Sequence, residues 1–162
     1  MLSVYQEFET VIAKLEQTRI PYALCGGLAV GMHTEPRATK DIDILLLTED
    51  VESVKKVLLQ CGFKFFSTPM YFANSQIELH KLTKIEPGGK DYLFLDLLVI
   101  KSPIWEKVWQ NRHRLLYKNQ PLWVVSREWL IWMKMLRSSP QDLVDIENLR
   151  KLPWHFPKDP SK

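Results

Sequence analysis

One carboxylate in the middle of an otherwise apolar strand limits what this chain can become. Residues 92–100 read Tyr-Leu-Phe-Leu-Asp-Leu-Leu-Val-Ile, a run fit for a buried strand and interrupted only by Asp96. An ionised carboxylate taken out of water is costly unless it is paired, hydrogen-bonded or bound to a metal. The fold must therefore bring something to Asp96. The same interruption leaves no stretch near the roughly 18 apolar residues of a membrane span. Met1 to Ile20 lacks the basic-then-apolar pattern of a secretion signal, so no membrane association and a cytoplasmic location are expected.

A second acidic feature lies upstream. Asp41 and Asp43 flank Ile42 ahead of the apolar Ile44 to Leu47. In a strand, side chains two residues apart share a face, with about 7 Å between their Cα atoms. Two carboxylates held rigidly at the mouth of a core strand can share a divalent cation. If the Asp96 strand lies alongside, three carboxylates converge, and that many like charges call for cations between them. Oxygen ligands without His or Cys suit Mg²⁺.

The complementary half comes earlier still. The apolar run Tyr22 to Cys25 stops at Gly26-Gly27, and Leu28 to His33 then begins a helix. Glycines let a phosphate approach the backbone, and the N–H groups of a helix start favour anions. A phosphate cradle facing a carboxylate pair suits phosphoryl or nucleotidyl transfer by in-line displacement.

Leu24-Cys25-Gly26-Gly27, thirteen intervening residues, Asp41-Ile42-Asp43-Ile44 and the later Asp96 together resemble the nucleotidyltransferase superfamily typified by DNA polymerase β. Within it, Arg37-x-Thr39-x-Asp41-x-Asp43 and a helical tail with Lys134, Asp142 and Asp145 resemble AbiEii-type and minimal nucleotidyltransferases of toxin–antitoxin systems. The resemblance implies that Asp41, Asp43 and Asp96 hold two Mg²⁺ ions and carry the chemistry. It implies that Gly26, Gly27, Arg37, Thr39 and Lys134 bind the NTP. Gly27 stands where many members carry Ser, and Gln141 where a basic residue often precedes the acidic one. The implied reaction moves an NMP to an acceptor hydroxyl on a tRNA 3′ end or a protein side chain, with an antitoxin protein as a possible partner. A small antibiotic acceptor, or a non-catalytic nucleotide- or partner-binding module on the same fold, is the alternative.

Each residue also has a plainer reading. Asp96 reads as one half of an ion pair, Arg37 as a surface charge, Lys134 and Arg137 as a solvated basic helix side, and Asp142 and Asp145 as surface or capping groups. The tryptophans after residue 104 read as core packing, and the four histidines have no metal-ligand spacing.

The fold class expected is α+β, a mixed sheet flanked by helices with a short C-terminal helical segment. Residues 1–125 read as the core, 126–152 as the helical segment and 153–162 as a Pro-rich surface tail. Helices are expected over 2–19, from Thr48 to Gln60, from Pro103 to Asn111, over 127–137 and over 141–149. Strands are expected over 22–25, 41–47, 63–66, 71–73, 76–82, 92–100, 114–117 and 122–125. With 22 Lys and Arg against 19 Asp and Glu, the net charge of +3 permits a polyanionic partner without demanding one. Cys25 and Cys61 form no CxxC pair and read as free thiols.

Overall fold

The computed structural model describes residues 1–153; of the expected surface tail, 154–162 lie outside the described residues. The elements are α1 (Val4–Gln17), β1 (Ala23–Cys25), α2 (Gly26–His33), β2 (Asp41–Leu46), α3 (Val51–Gln60), β3 (Lys64–Phe65), β4 (Met70–Phe72), β5 (Ile77–Ile85), β6 (Tyr92–Ile100), α4 (Pro103–Gln110), β7 (His113–Tyr117), β8 (Gln120–Val124), α5 (Arg127–Arg137) and α6 (Pro140–Arg150).

The sheet runs β3-β5-β6-β2-β1-β8-β7, with β4 also on β5. It is mixed. β2 lies parallel to β6 and antiparallel to β1, while β1 lies parallel to β8. Alternation divides β2 and β6 into two faces. Ile42, Ile44 and Leu46 share a face with their partners Leu95, Leu97 and Val99, all shielded from solvent. Asp41 and Asp43 point the other way, beside Phe94 and Asp96.

α1 presents Phe8, Val11, Ile12 and Leu15 to the core at helical spacing, and Ser3 caps it by accepting from the Gln6 N–H. α3 buries Val51, Val54, Val57 and Leu58 and packs on α1. On the opposite side, α2 lies against β1, β2 and α5. Trp105 and Trp109 of α4 are buried, and Trp105 meets Trp132 edge-on at 5.1 Å. Core packing of the described tryptophans is thus observed for this group. Among the described residues, no helix is long and apolar enough to cross a membrane.

Three local expectations change. The helix after the glycines begins at Gly26 itself, not at Leu28. Thr48 does not cap α3; it opens a 3-10 turn, and its hydroxyl donates to the Ile100 carbonyl at 3.0 Å. The hydroxyl is spent joining the ends of β2 and β6. β5 continues past Leu82 to Ile85, because β6 offers a partner along its whole length. Cross-strand pairing decides the strand's length there, beyond what its own pattern indicates.

Candidate active site

The register of β2 on β6 sets Asp43 directly opposite Asp96 and Asp41 opposite Phe94. All three carboxylates therefore occupy one face of two adjacent parallel strands, as expected. Their charges act on one another. Burial, then the charges of Asp96 and Asp41, pushes the Asp43 carboxyl up to about 7. Burial and Asp96 raise Asp41 as well.

Gly26 completes this floor. Its φ is +64°, in the left-handed region where glycine is at home, and a Cβ there would lie 2.0 Å from Asp43 Oδ2. The α2 start thus presses directly on the carboxylate. Gly27 plays a different part. A Cβ at 27 would lie 2.8 Å from Arg37 Nη2 and 2.9 Å from Thr39 Oγ1. The space that a serine would use at that position is already taken by a guanidinium and a hydroxyl. Gly26, Gly27, Arg37 and Thr39 consequently gather at one helix N-terminus.

Arg37 donates from Nη2 to Asp145 Oδ2 at 2.8 Å and from Nη1 to the Ala38 carbonyl at 2.9 Å. Its Nε is buried with no partner among the described residues. A buried donor without an acceptor beside a helix start is suited to an anion.

Lys134 departs from the solvated-face reading and lines the same cleft as the carboxylates. It is only 6% exposed, so it belongs to no solvated basic face. Its Nζ lies 3.1 Å from Asp142 Oδ1 and 2.9 Å from Asp145 Oδ2. Those carboxylates are fully buried, which corrects their placement on the surface. Asp142 does cap α6: Ser139 Oγ accepts from the Asp142 N–H, and Asp142 Oδ2 accepts from the Ser139 N–H. Arg137, by contrast, is solvated, with its side chain 72% exposed, and grips Asp142 with two N–H groups at 2.7 and 2.8 Å. Arg137 chiefly, with Ser139 and Lys134, holds the Asp142 carboxyl well below the usual carboxylate range. Closure of α5 on α6 turns expected surface charges into an Arg37–Asp145–Lys134–Asp142–Arg137 chain.

A cleft of about 760 Å³ joins these parts. Asp41, Asp43, Asp96, Gly26, Gly27, Arg37 and Thr39 all line it, together with Lys134, Arg137, Gln141 and Asp142 of α5 and α6 and the apolar side chains of Phe72, Leu79, Leu98, Trp105 and Met133. Two cations missed by residue-level reading border the carboxylates. Arg137 lowers the cost of their charge from the α5 side. Lys81 of β5 faces Asp96 in register and binds its Oδ1 at 2.7 Å. The ion-pair reading of Asp96 is therefore realised. No three carboxylate, imidazole or thiol groups among the described residues form a ready ion-holding cluster. The donor set nevertheless suits a hard dication, since three carboxylates share one face and their mutual repulsion is incompletely offset. The alternating pattern around Lys81 could have placed it on the right face, but not opposite Asp96.

No protein-family model and no curated protein matches the chain. Solved structures do. A lincosamide antibiotic adenylyltransferase, LnuA, determined with lincomycin bound, superposes with a TM-score of 0.65 at 18% identity, covering 91% of this chain and 97% of that one. ANT(2")-Ia, solved with adenylyl-2"-tobramycin, gives 0.62 at 14% identity over 90% and 88%. A Thermotoga maritima protein with a provisional assignment as a nucleotidyltransferase gives 0.58 at 15% over 91% and 90%. Mixed sheet, flanking helices and extent all agree, and the chain has the nucleotidyltransferase fold.

Proposed function

We propose that this chain is a nucleotidyltransferase that moves an NMP from an NTP to a hydroxyl on a small molecule. The observation that carries the reading is the direct pairing of Asp43 with Asp96 across β2 and β6, with Gly26 packed against Asp43. Metal-binding carboxylates and phosphate cradle are thereby one continuous surface.

Asp41, Asp43 and Asp96 would hold Mg²⁺, which supplies charge neutralisation for the triphosphate. The backbone N–H groups of Gly26 and Gly27 receive the phosphates, with Arg37 and Thr39 beside them. Lys134 lines the cleft and fixes Asp145 and through it Arg37, so it supports nucleotide binding both by its charge and by position. The acceptor oxygen forms a bond to the α-phosphorus as the bond to pyrophosphate breaks. Asp96 would take the hydroxyl proton.

The acceptor class rests on the apolar part of the cleft lining. Phe72, Leu79, Leu98, Trp105 and Met133 contribute apolar surface to the same cleft as the carboxylates, suited to the body of a small molecule. The two antibiotic-modifying neighbours, which this chain covers over most of their length, support the same class. The test is incubation with each α-³²P-labelled NTP and Mg²⁺, comparing wild type with Asp43→Ala, against a panel of hydroxyl-bearing antibiotics, total RNA and total protein. Label in a small molecule for wild type alone is the expected result. Label in RNA or a protein band would overturn the acceptor class while keeping the reaction; no label in any arm would leave the non-catalytic binding module.

A further inference from the structure

Among the lysines and arginines of the described residues, Lys81 alone is placed by strand register opposite the third carboxylate. Its Nζ lies 2.7 Å from Asp96 Oδ1 and 4.9 Å from the centre of the Phe94 ring. The pair is well shielded, with side-chain exposures of 22% for Lys81 and 14% for Asp96. Phe94 lies on the same face of β6, two residues before Asp96. It is held edge-on by Phe66 at 4.9 Å and Tyr92 at 5.3 Å.

We infer that Lys81 is a tethered counter-ion and positioning residue: its ammonium holds Asp96 in the site before a dication binds, then withdraws over Phe94 as the carboxylate is released. This rests on the reading of Asp41, Asp43 and Asp96 as a dication site.

Three like charges share this face, and an ammonium on Asp96 limits their repulsion without metal. The same ammonium competes with any dication for the Asp96 oxygen and repels it at short range. A lysine displaced from its carboxylate in a shielded place needs a second favourable seat. The face of an aromatic ring provides one, and Phe94 is already within reach. Lysine suits such an exchange better than arginine, because its charge is compact and its stem flexible.

The experiment is titration of the nucleotide-free protein with Mn²⁺, followed by calorimetry and by electron paramagnetic resonance of the unbound ion. Wild type, Lys81→Met, Lys81→Arg and Asp43→Asn are compared, and each is also melted in EDTA and in Mn²⁺. Removing the ammonium is expected to tighten Mn²⁺ binding about tenfold. Lys81→Arg, which keeps the positive charge, should bind Mn²⁺ no more tightly than wild type. In EDTA, Lys81→Met should melt below wild type and then gain more from Mn²⁺. A general loss of structure would weaken binding, not tighten it. Equal or weaker Mn²⁺ binding by Lys81→Met, while Asp43→Asn abolishes binding, would overturn the role of Lys81 and leave the dication site standing. Absence of binding in wild type, Lys81→Met and Asp43→Asn alike would overturn the dication site, and this inference with it.

Discussion

Gly26 is the residue whose replacement tests the site most directly. Alanine there meets two penalties at once, a left-handed backbone worth about 1–2 kcal/mol and a methyl group 2.0 Å from Asp43 Oδ2. Gly26→Ala is expected to lower Tm and to remove nucleotidyl transfer even at temperatures where the variant remains folded, as assay beside circular dichroism will show. Asp43 supplies a pH prediction. Its carboxyl rises from 3.8 in the unfolded chain to about 7 in the fold, so the folded state binds the extra proton between those values. The stability linked to that proton is fully present below pH 4 and is lost as pH rises through about 7. Metal-free wild type should therefore lose Tm relative to Asp43→Asn between about pH 4 and 7, in melts run with EDTA. An Asp43→Asn curve that falls in parallel with wild type would reject this assignment. The glycine pair and the Asp-x-Asp pair were readable from sequence because each is a local pattern whose geometry follows from one turn or one strand.

At the level of elements, the hairpin of α5 and α6 carries the buried charges. Asp142 serves Lys134, Arg137 and the cap of α6 together. Asp142→Ala removes all three, leaves Lys134 with Asp145 alone, and is expected to cost about 3–5 kcal/mol, or roughly 10 °C in Tm. Ser139→Ala removes only one half of the cap and should cost about 1 kcal/mol. Urea unfolding of the two variants measures both, and equal losses would refute the network. None of this burial was legible beforehand. Lys134 and Arg137 sit one turn apart on α5, yet one is enclosed and the other exposed. Helix periodicity orders the faces of α5 but does not say which of them α6 will cover. The β5–β6 pair shows the same limit: the sequence pattern bounds β5 at Leu82, whereas nine residues of partner strand extend it to Ile85.

For the molecule as a whole, the cleft predicts linkage between ligand and stability. Mg²⁺ with a non-hydrolysable NTP should bind the folded state alone and add about 2.7 kcal/mol at a hundredfold excess over Kd. Differential scanning fluorimetry should show that gain in wild type and its loss in Asp43→Asn; equal shifts in both would place the nucleotide elsewhere. The sequence by itself determined the order of the chemical parts: glycine turn, paired carboxylates, and a third carboxylate that required a partner. Those are short-range facts, set by backbone conformation, by strand alternation and by the cost of burying charge. Tertiary structure alone decided which partners arrived. Lys81 reaches Asp96 through β5–β6 register, Arg37 reaches Asp145 across 108 positions, and Lys134 turns inward because α6 closes over it. Register and helix docking depend on the sum of many distant contacts, so no local pattern encodes them.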